Sequence, residues 1–448
     1  MNTPICDFVR SYARQSALRL HMPGHKGMGP LGVEDMDITE IAGADSLYEA
    51  GGIIRESEEN ASRLFGCATF YSTEGSSLAI RAMLYLALLH GRQQGQAPLV
   101  LAGRNAHKTF LSAAALLDLD VHWLRGEQPD SYLCCALTPE IVESALEADP
   151  VKPSAVYITS PDYLGNTVDI SGIASVCHRH DALLLVDNAH GAYLRFLPET
   201  LHPIDLGADM CCASAHKTLP VLTGGAYLHI SPAAPRLFTQ QAKNALALFG
   251  STSPSYLILA SLDAVNRALA GGYREALAAF CQQTEQLKSD LQSRGFALYG
   301  DEPLKMTIAA RTWGYTGQEF ARCLLDAGIV VEFADPDFVV MMLTPETGTD
   351  GLARLKNALF AIPRREAIHT DPPVSSVPER VLRIRKALFS ASEEVSVKES
   401  LGRVLAAATV GCPPAVPIVV CGERIDEHAI RCFEYYGIER CCVVVNEK

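Results

Sequence analysis

From about residue 60 to 230 the chain repeats one pattern: a short apolar run ending in polar residues, then an amphipathic stretch, then another apolar run. The runs are Pro98–Ala102, Ala155–Thr159, Leu183–Val186, Met210–Ala213 and Ala226–Ile230, with helical periodicity between them in Ser77–Leu89 and Thr109–Leu117. Apolar strands that alternate with helices bury both faces, which predicts parallel βαβ units in an α/β fold. Such sheets gather ligands outside the carboxyl ends of their strands. Here those ends carry Arg104-Asn105-Ala106-His107, Ser160-Pro161-Asp162-Tyr163, Asp187-Asn188-Ala189-His190 and Ser214-Ala215-His216-Lys217. Four polar clusters at successive strand ends predict a single site.

After about residue 255 the pattern changes. Tyr256–Leu269 and Glu275–Ser293 read as helices, and a mixed region follows with Lys305–Ala310, Gln318–Ala327 and Phe338–Leu343. Residues 363–378 are rich in Pro, Ser and charge and read as a linker or surface loop. Ser392–Ala407 is predicted to be a helix, with Ser392 as N-cap ahead of Glu393 and Glu394, and a turn-rich stretch, Cys412–Pro417, follows it.

A chain of 448 residues needs more than one core. Its net charge of −13 argues against a nucleic-acid surface and mildly favours cationic small molecules. The first residues lack an apolar leader core, and no run approaches the roughly 18 residues of a membrane span; no membrane partner and a cytoplasmic location are expected. The fourteen cysteines stand singly or in adjacent pairs, with neither CxxC nor a zinc-like Cys/His spacing. They are expected to be reduced thiols, and no metal site is expected.

The chemistry sits around the strand ends. Ser72-Thr73-Glu74-Gly75-Ser76-Ser77 precedes a strongly apolar helix, so Gly75, Ser76 and Ser77 could hold an anion on backbone amides and hydroxyls, or form a plain cap. Asp187 ends an apolar run, and a carboxylate there must be paired or solvated. The ring nitrogen of pyridoxal 5'-phosphate (PLP) would be a natural partner, since that ion pair keeps the ring an electron sink; a helix cap is the other reading. Ala189 is small enough to lie against one ring face. Lys217 follows Met210–Ala213 amid Ser214, His216 and Thr218. A lysine at a buried strand end is activated as a nucleophile, whereas any single lysine is by default on the surface. Together with Ser76, Ser77, His107 and Asp187, the cofactor reading wins. Gly24–Pro30, also glycine-rich, neither follows a strand nor opens a helix, and is a poor nucleotide fingerprint.

These residues give the chain a family likeness. It resembles the ornithine/lysine/arginine decarboxylases of PLP fold type I, in the short form without an N-terminal wing. Leu20-His21-Met22-Pro23-Gly24-His25-Lys26-Gly27 is similar to the family's Pro-Gly-His signature, and Asp37–Glu40, Asp45–Tyr48 and Gly52–Ile54 to its active-site arm. Arg104–Lys108, Asp187–Gly191 and Ser214–Thr218 match in order and spacing; Gly250–Tyr256 resembles the segment that reaches the partner subunit's phosphate, and Pro413–Ile418 with Gly422-Glu423 looks like the family's small terminal domain. The chain departs from it at Asp162, where many relatives carry Thr, at Tyr193, where many carry His, and at Thr223-Gly224-Gly225.

The resemblance implies a PLP-dependent transferase-like α/β fold with a mainly parallel central sheet and smaller α+β C-terminal parts. Its expected divisions are an arm (1–50), a large PLP-binding domain (51–265), a small α+β domain (266–362) and a C-terminal decarboxylase-type domain (363–448). It implies a Schiff base on Lys217, pairing of Asp187 with the pyridine nitrogen, and stacking of His107 on the ring. Gly75, Ser76, Ser77, Ala189, His190, Ser214 and His216 would also surround the cofactor. Thr252 or Ser253 would reach the partner subunit's phosphate, which makes a homodimer with shared active sites. The implied reaction is decarboxylation of a basic amino acid to CO2 and an amine, with polyamine supply as one role. Asp45, Glu74 and Glu332 are candidates for the acid that receives the substrate's distal cation. Aminotransfer or β-elimination on the same scaffold, and a catalytically silent regulatory homologue, are the rival readings.

Overall fold

The computed structural model describes residues 1–126, 131–373, 378–411 and 414–445. Residues 374–377 of the expected linker, and Cys412 and Pro413 of the C-terminal turn, lie outside the described residues. The strands of the first half are β1 (Ala68–Ser72), β2 (Leu99–Gly103), β3 (Asp120–Leu124), β4 (Ala155–Thr159), β5 (Leu183–Asp187), β6 (Met210–Ala213) and β7 (Ala226–Ile230). Those of the second half are β8 (Leu298–Tyr299), β9 (Lys305–Ala309), β10 (Phe333–Ala334), β11 (Phe338–Met342), β12 (Ser392–Ser396) and β13 (Arg440–Val444). The chain divides into two compact units, one built from residues 1–95 and 183–278, the other from 96–182 and 279–448.

In the first unit the strands lie in the order β1-β7-β6-β5. β5 and β6 are parallel, with Leu185 opposite Met210. β7, expected to be one more parallel strand, instead runs antiparallel to both β6 and β1. The reason is the connection: between β6 and β7 there is only a one-turn helix, Ala215–Thr218, too short for a parallel crossover. Every residue of β5, β6 and β7 is buried. The helix Gly75–Gln93 places Leu78, Ile80, Met83, Leu84 and Leu86 in the core. The N-terminal helix Pro4–Arg14 is tied to the helix Tyr256–Ala270 by Asp263, which accepts from the Cys6 amide at 3.0 Å.

The second unit holds β4-β2-β3, all parallel, with Val100 opposite Ala155 and Leu99 opposite Asp120. It also contains an antiparallel sheet in the order β10-β11-β9-β8. The helix Gly317–Asp326 starts with a capping box, Thr316 with Glu319. Its first residue must be glycine: a Cβ on Gly317 would stand 2.2 Å from the carbonyl oxygens of Asp335 and Phe338.

The predicted helix Ser392–Ala407 does not form. Ser392–Ser396 is β12, paired antiparallel with β13 so that Val395 faces Cys441, and Val397–Ser400 is a 3-10 turn. Ser-Glu-Glu suits a helix N-terminus, but both acids have other employment: Glu393 takes Arg403 at 2.7 Å and Glu394 takes Arg440 at 2.8 Å. Val397, Leu405, Phe433 and Val443 close a small core beneath the pair. Tertiary burial of β-branched residues overrides the local helix signal.

Candidate functional site

The first unit brings most of the predicted residues to one end of its strands. Lys217 sits in the one-turn helix after β6, half-buried, with Nζ 3.0 Å from Nε2 of His190. His190 follows β5 and is buried, so β5 and β6, parallel neighbours, deliver amine and imidazole to the same place. Asp187, the last residue of β5, is 2% exposed; its carboxylate accepts from the amide of Ala189 at 3.2 Å and from Cys212 Sγ at 3.4 Å. That thiol is held well above its ordinary range by burial and then by the Asp187 charge beside it.

Ser214 Oγ donates to Ser76 Oγ at 2.9 Å, linking the end of β6 to the first turn of the helix Gly75–Gln93. That helix has Glu74 in the cap position, without a side-chain cap to its first turn. Gly75 takes a φ of +72° that L side chains rarely adopt, and open space lies where a Cβ would stand. Its amide donates to Gly224 O at 2.8 Å. His216 is fixed by the same loop, its Nδ1 2.9 Å from the carbonyl of Gly225. Burial lowers the His216 pKa and the nearby Lys217 charge adds to that, while the Gly225 carbonyl opposes both. Thr218 Oγ1 is buried without a partner.

Thr252 and Ser253 lie in an exposed loop, which the preceding Ser251 ties to the cap residue of the Gly75 helix by donating its amide to Glu74 at 2.6 Å. His107 belongs to the second unit. It caps the helix Lys108–Leu117, its Nδ1 accepting from the Thr109 amide at 3.2 Å.

The other expected strand ends of the second unit have structural partners. Arg104 donates to Glu423 at 2.7 Å and to Ile418 O at 3.3 Å, and lies over the Trp123 ring. Asp162 is buried, which pushes its pKa up; Asn166 donates to it from side chain and backbone, and Leu164 from its amide, all of which oppose that rise. Lys305 donates to the Asp162 carbonyl at 2.9 Å. Among the candidate acids, Asp45 is occupied as a cap for the helix Ile53–Phe65, accepting from Gly51, Gly52 and Ile54 amides. Glu332 is exposed and accepts from the Tyr163 hydroxyl at 3.1 Å. His190 at the lysine is a contact that spacing alone did not announce; its signal was its place at the end of β5.

Among the described residues the cysteines are free thiols. One trio, Glu143, Glu147 and His180, has ligand atoms within metal-like spacing. It is not a buried site, and Arg179 already donates to Glu143 at 2.6 Å. No helix among the described residues is long and apolar enough to cross a membrane.

Residues 3–302 match the family model for the major domain of the Orn/Lys/Arg decarboxylases, and residues 367–440 match that for their C-terminal domain. An uncharacterized protein of Bacillus subtilis strain 168 is 30% identical, over 96% of this chain and 93% of its own length. The arginine decarboxylase of Halalkalibacterium halodurans is 28% identical over 95% and 91%. Among solved structures, the lysine decarboxylase of Francisella novicida superposes with a TM-score of 0.79 at 16% identity, over 99% of this chain and 81% of its own. The constitutive lysine decarboxylase of E. coli gives 0.78 at 17% identity, over 99% and 82%. Fold-type-I relatives such as a NifS-like protein match over 70% of this chain with a TM-score of 0.54. The PLP fold-type-I α/β fold is thus common to them.

Proposed function

The chain belongs to the ornithine/lysine/arginine decarboxylase family, a PLP-dependent amino-acid decarboxylase, and on that premise we propose that its substrate is arginine, with Lys217 as the residue that carries the cofactor. The choice of arginine leans on the curated relatives named arginine decarboxylase that match along nearly their whole length.

The first unit's residues suit PLP. A buried carboxylate, Asp187, would hold the protonated ring nitrogen. The open first turn at Gly75, the paired hydroxyls of Ser76 and Ser214, and the buried hydroxyl of Thr218 are a donor set suited to a phosphate. Ser77 and His216 border the same set. When bound, the ring supplies an electron sink for the pair released as CO2 leaves.

The protein's own part is orientation and proton handling. His190 Nε2 accepts from Lys217 Nζ, which aims the amine and gives its proton a nearby acceptor. After CO2 departs, Lys217 is placed to return a proton to the substrate α-carbon. Ala189 leaves room for a flat ring beside Asp187. The roles of His107 on the ring and of Thr252 or Ser253 at a partner subunit's phosphate rest on the resemblance, as does the homodimer. A carboxylate suits a bidentate guanidinium, and of the candidate acids Asp45 is consumed as a cap. The observation that carries the reading is the Lys217–His190 contact on adjacent parallel strands above Asp187.

The test is amine release from arginine, lysine and ornithine by PLP-loaded protein. Arginine is expected to give the highest kcat/KM, with one CO2 per amine. A faster reaction with lysine overturns the substrate assignment, and a keto acid product overturns decarboxylation.

A further inference from the structure

The second unit contains a cavity of about 600 Å³, within the range of small-ligand pockets of about 300–1,000 Å³. Tyr132, Tyr436 and Ile418 divide it from a smaller compartment of about 150 Å³ lined by Asp335. Neither compartment shares a residue with the cluster around Lys217.

The charges in these compartments are unequally provided for. Arg311 is spent: it donates to Asp337 at 2.9 Å and to the Tyr435 hydroxyl at 2.8 Å, and Tyr435 donates to Asp337 in turn at 2.5 Å. Among the described residues Asp335 has no such cation: its Oδ1 accepts from the amides of Asp337 at 2.8 Å and Phe338 at 2.7 Å, while Oδ2 is buried with no partner among them. Asp335 as a whole is 4% exposed. A buried carboxylate with one unpaired oxygen is costly unless a donor reaches it. The hairpin tip that holds it is rigidly seated, since Gly317 allows the backbone of Asp335 and Phe338 to approach. Around it stand aromatic rings, Tyr132 and Tyr436 with centroids 4.7 Å apart, surfaces that attract organic cations. Asp371 adds a second acid along the larger cavity.

We propose that this pair of compartments binds a linear organic amine, one ammonium on Asp335 Oδ2 and the alkyl stem along Tyr132 and Tyr436 toward Asp337 and Asp371. An amine without a carboxylate is preferred over an amino acid, because Asp335 and Asp371 repel an anion while the Arg311 guanidinium is held by Asp337. The inference rests on burial and charge, and not on which reaction Lys217 supports.

The titratable groups coupled to Asp335 are Asp337, Tyr132, Tyr435 and Tyr436, and Arg311, His369 and Asp371 line the larger compartment. Burial, followed by the Asp337 charge, pushes the Asp335 pKa up to about 6 against its backbone hydrogen bonds, whereas burial pushes the three tyrosines further above neutrality. Asp335 loses its charge as the pH falls through about 6, so amine binding should weaken across that value.

Hydrogen–deuterium exchange on the PLP-loaded full chain with 1,5-diaminopentane tests it. The amine should protect the peptide covering Phe333–Met342. Asp335→Asn keeps an Oδ1 acceptor for both amides and removes the charge, and should weaken that protection about tenfold while kcat/KM for decarboxylation is unchanged. In the unmodified protein the protection should fade below about pH 6, a readout that needs no variant. Absence of protection, equal protection in Asp335→Asn, or protection by L-lysine or sodium acetate as strong as by the diamine would each overturn the proposal.

Discussion

The strand ends of the two units carry similar side chains and use them differently. At the end of β5 and β6, Asp187, His190 and Lys217 touch one another's neighbourhood and leave hydroxyls and a helix first turn open beside them. At the end of β2, Arg104 is turned onto Glu423, Ile418 and Trp123. Both are charged groups after buried parallel strands, and the sequence pattern that flags one flags the other. What separates them is the partner: Lys217 meets an imidazole within its own strand pair, whereas Arg104 meets a carboxylate more than three hundred residues away that closes the C-terminal segment. A polar strand end is therefore a site only where its partners leave chemistry unspent.

The comparison breaks most sharply at Lys217. Lys217→Ala should lower turnover on the order of 10⁴-fold, the upper range for losing a positioned proton-transfer group. Its melting temperature without cofactor should stay near that of the unmodified chain, because Lys217 is only half-buried. Loss of the visible absorbance of PLP bound to a lysine should accompany it. A variant that melts early but keeps that absorbance would invert the division drawn here.

Arg104→Met is the converse experiment. Burial lowers the Arg104 pKa and raises that of Glu423, and their mutual attraction opposes both shifts. Removing the guanidinium leaves the carboxylate buried with its Val420 amide bond alone, for a loss of about 3–5 kcal/mol in urea unfolding. Double replacement with Glu423→Leu should recover much of that loss. No recovery would mean that Arg104 acts through something other than this pair.

The first unit has a structural burden of its own below the strand ends. His202 and His229 lie edge to face, 4.9 Å between ring centroids, both fully buried. Burial, partly offset by Asp205, lowers the His202 pKa from 6.5 to about 4, and burial with His202 beside it lowers that of His229 well below normal. The unfolded chain takes up a proton as the pH drops below 6.5, but folded His202 does not until about 4. Stability is therefore present above 6.5 and declines across that window, by about 3 kcal/mol for His202. Unfolding of the protein between neutral pH and pH 4.5 measures the slope, and His202→Leu should flatten it.

Much of this was legible because the runs were unmixed. Ala155–Thr159, Met210–Ala213 and Ala226–Ile230 coincide with β4, β6 and β7, since strands buried along all or nearly all their length need no partner information to be apolar. β1 escaped, as Ala-Thr-Phe-Tyr-Ser mixes polar and aromatic residues. The direction of β7 escaped because it is set by the length of a loop. Lys217, His216, Asp187 and Ser76 were visible as residue types at strand ends. Asp335 was not: Tyr132 and Tyr436, which line the same compartment, stand far away in the chain, and no local pattern marks a carboxylate that tertiary contacts will dry out.

β12 shows the same lesson at the smallest scale, and offers a substitution whose sign decides it. Val395 is half-buried opposite Cys441 and packs against the cluster of Leu405, Phe433 and Val443. Alanine is the better residue in a helix and the poorer one in a strand. Val395→Ala should therefore cost about 1 kcal/mol, through lost β-fit and lost contact with the cluster. Were Ser392–Ala407 helical in solution, the same change would stabilise the chain by a few tenths of a kcal/mol. A chemical-denaturation comparison of the two proteins separates a loss from a gain, and the activity of PLP-loaded protein should be the same in both, since this strand pair shares no residue with the ends of β5 and β6.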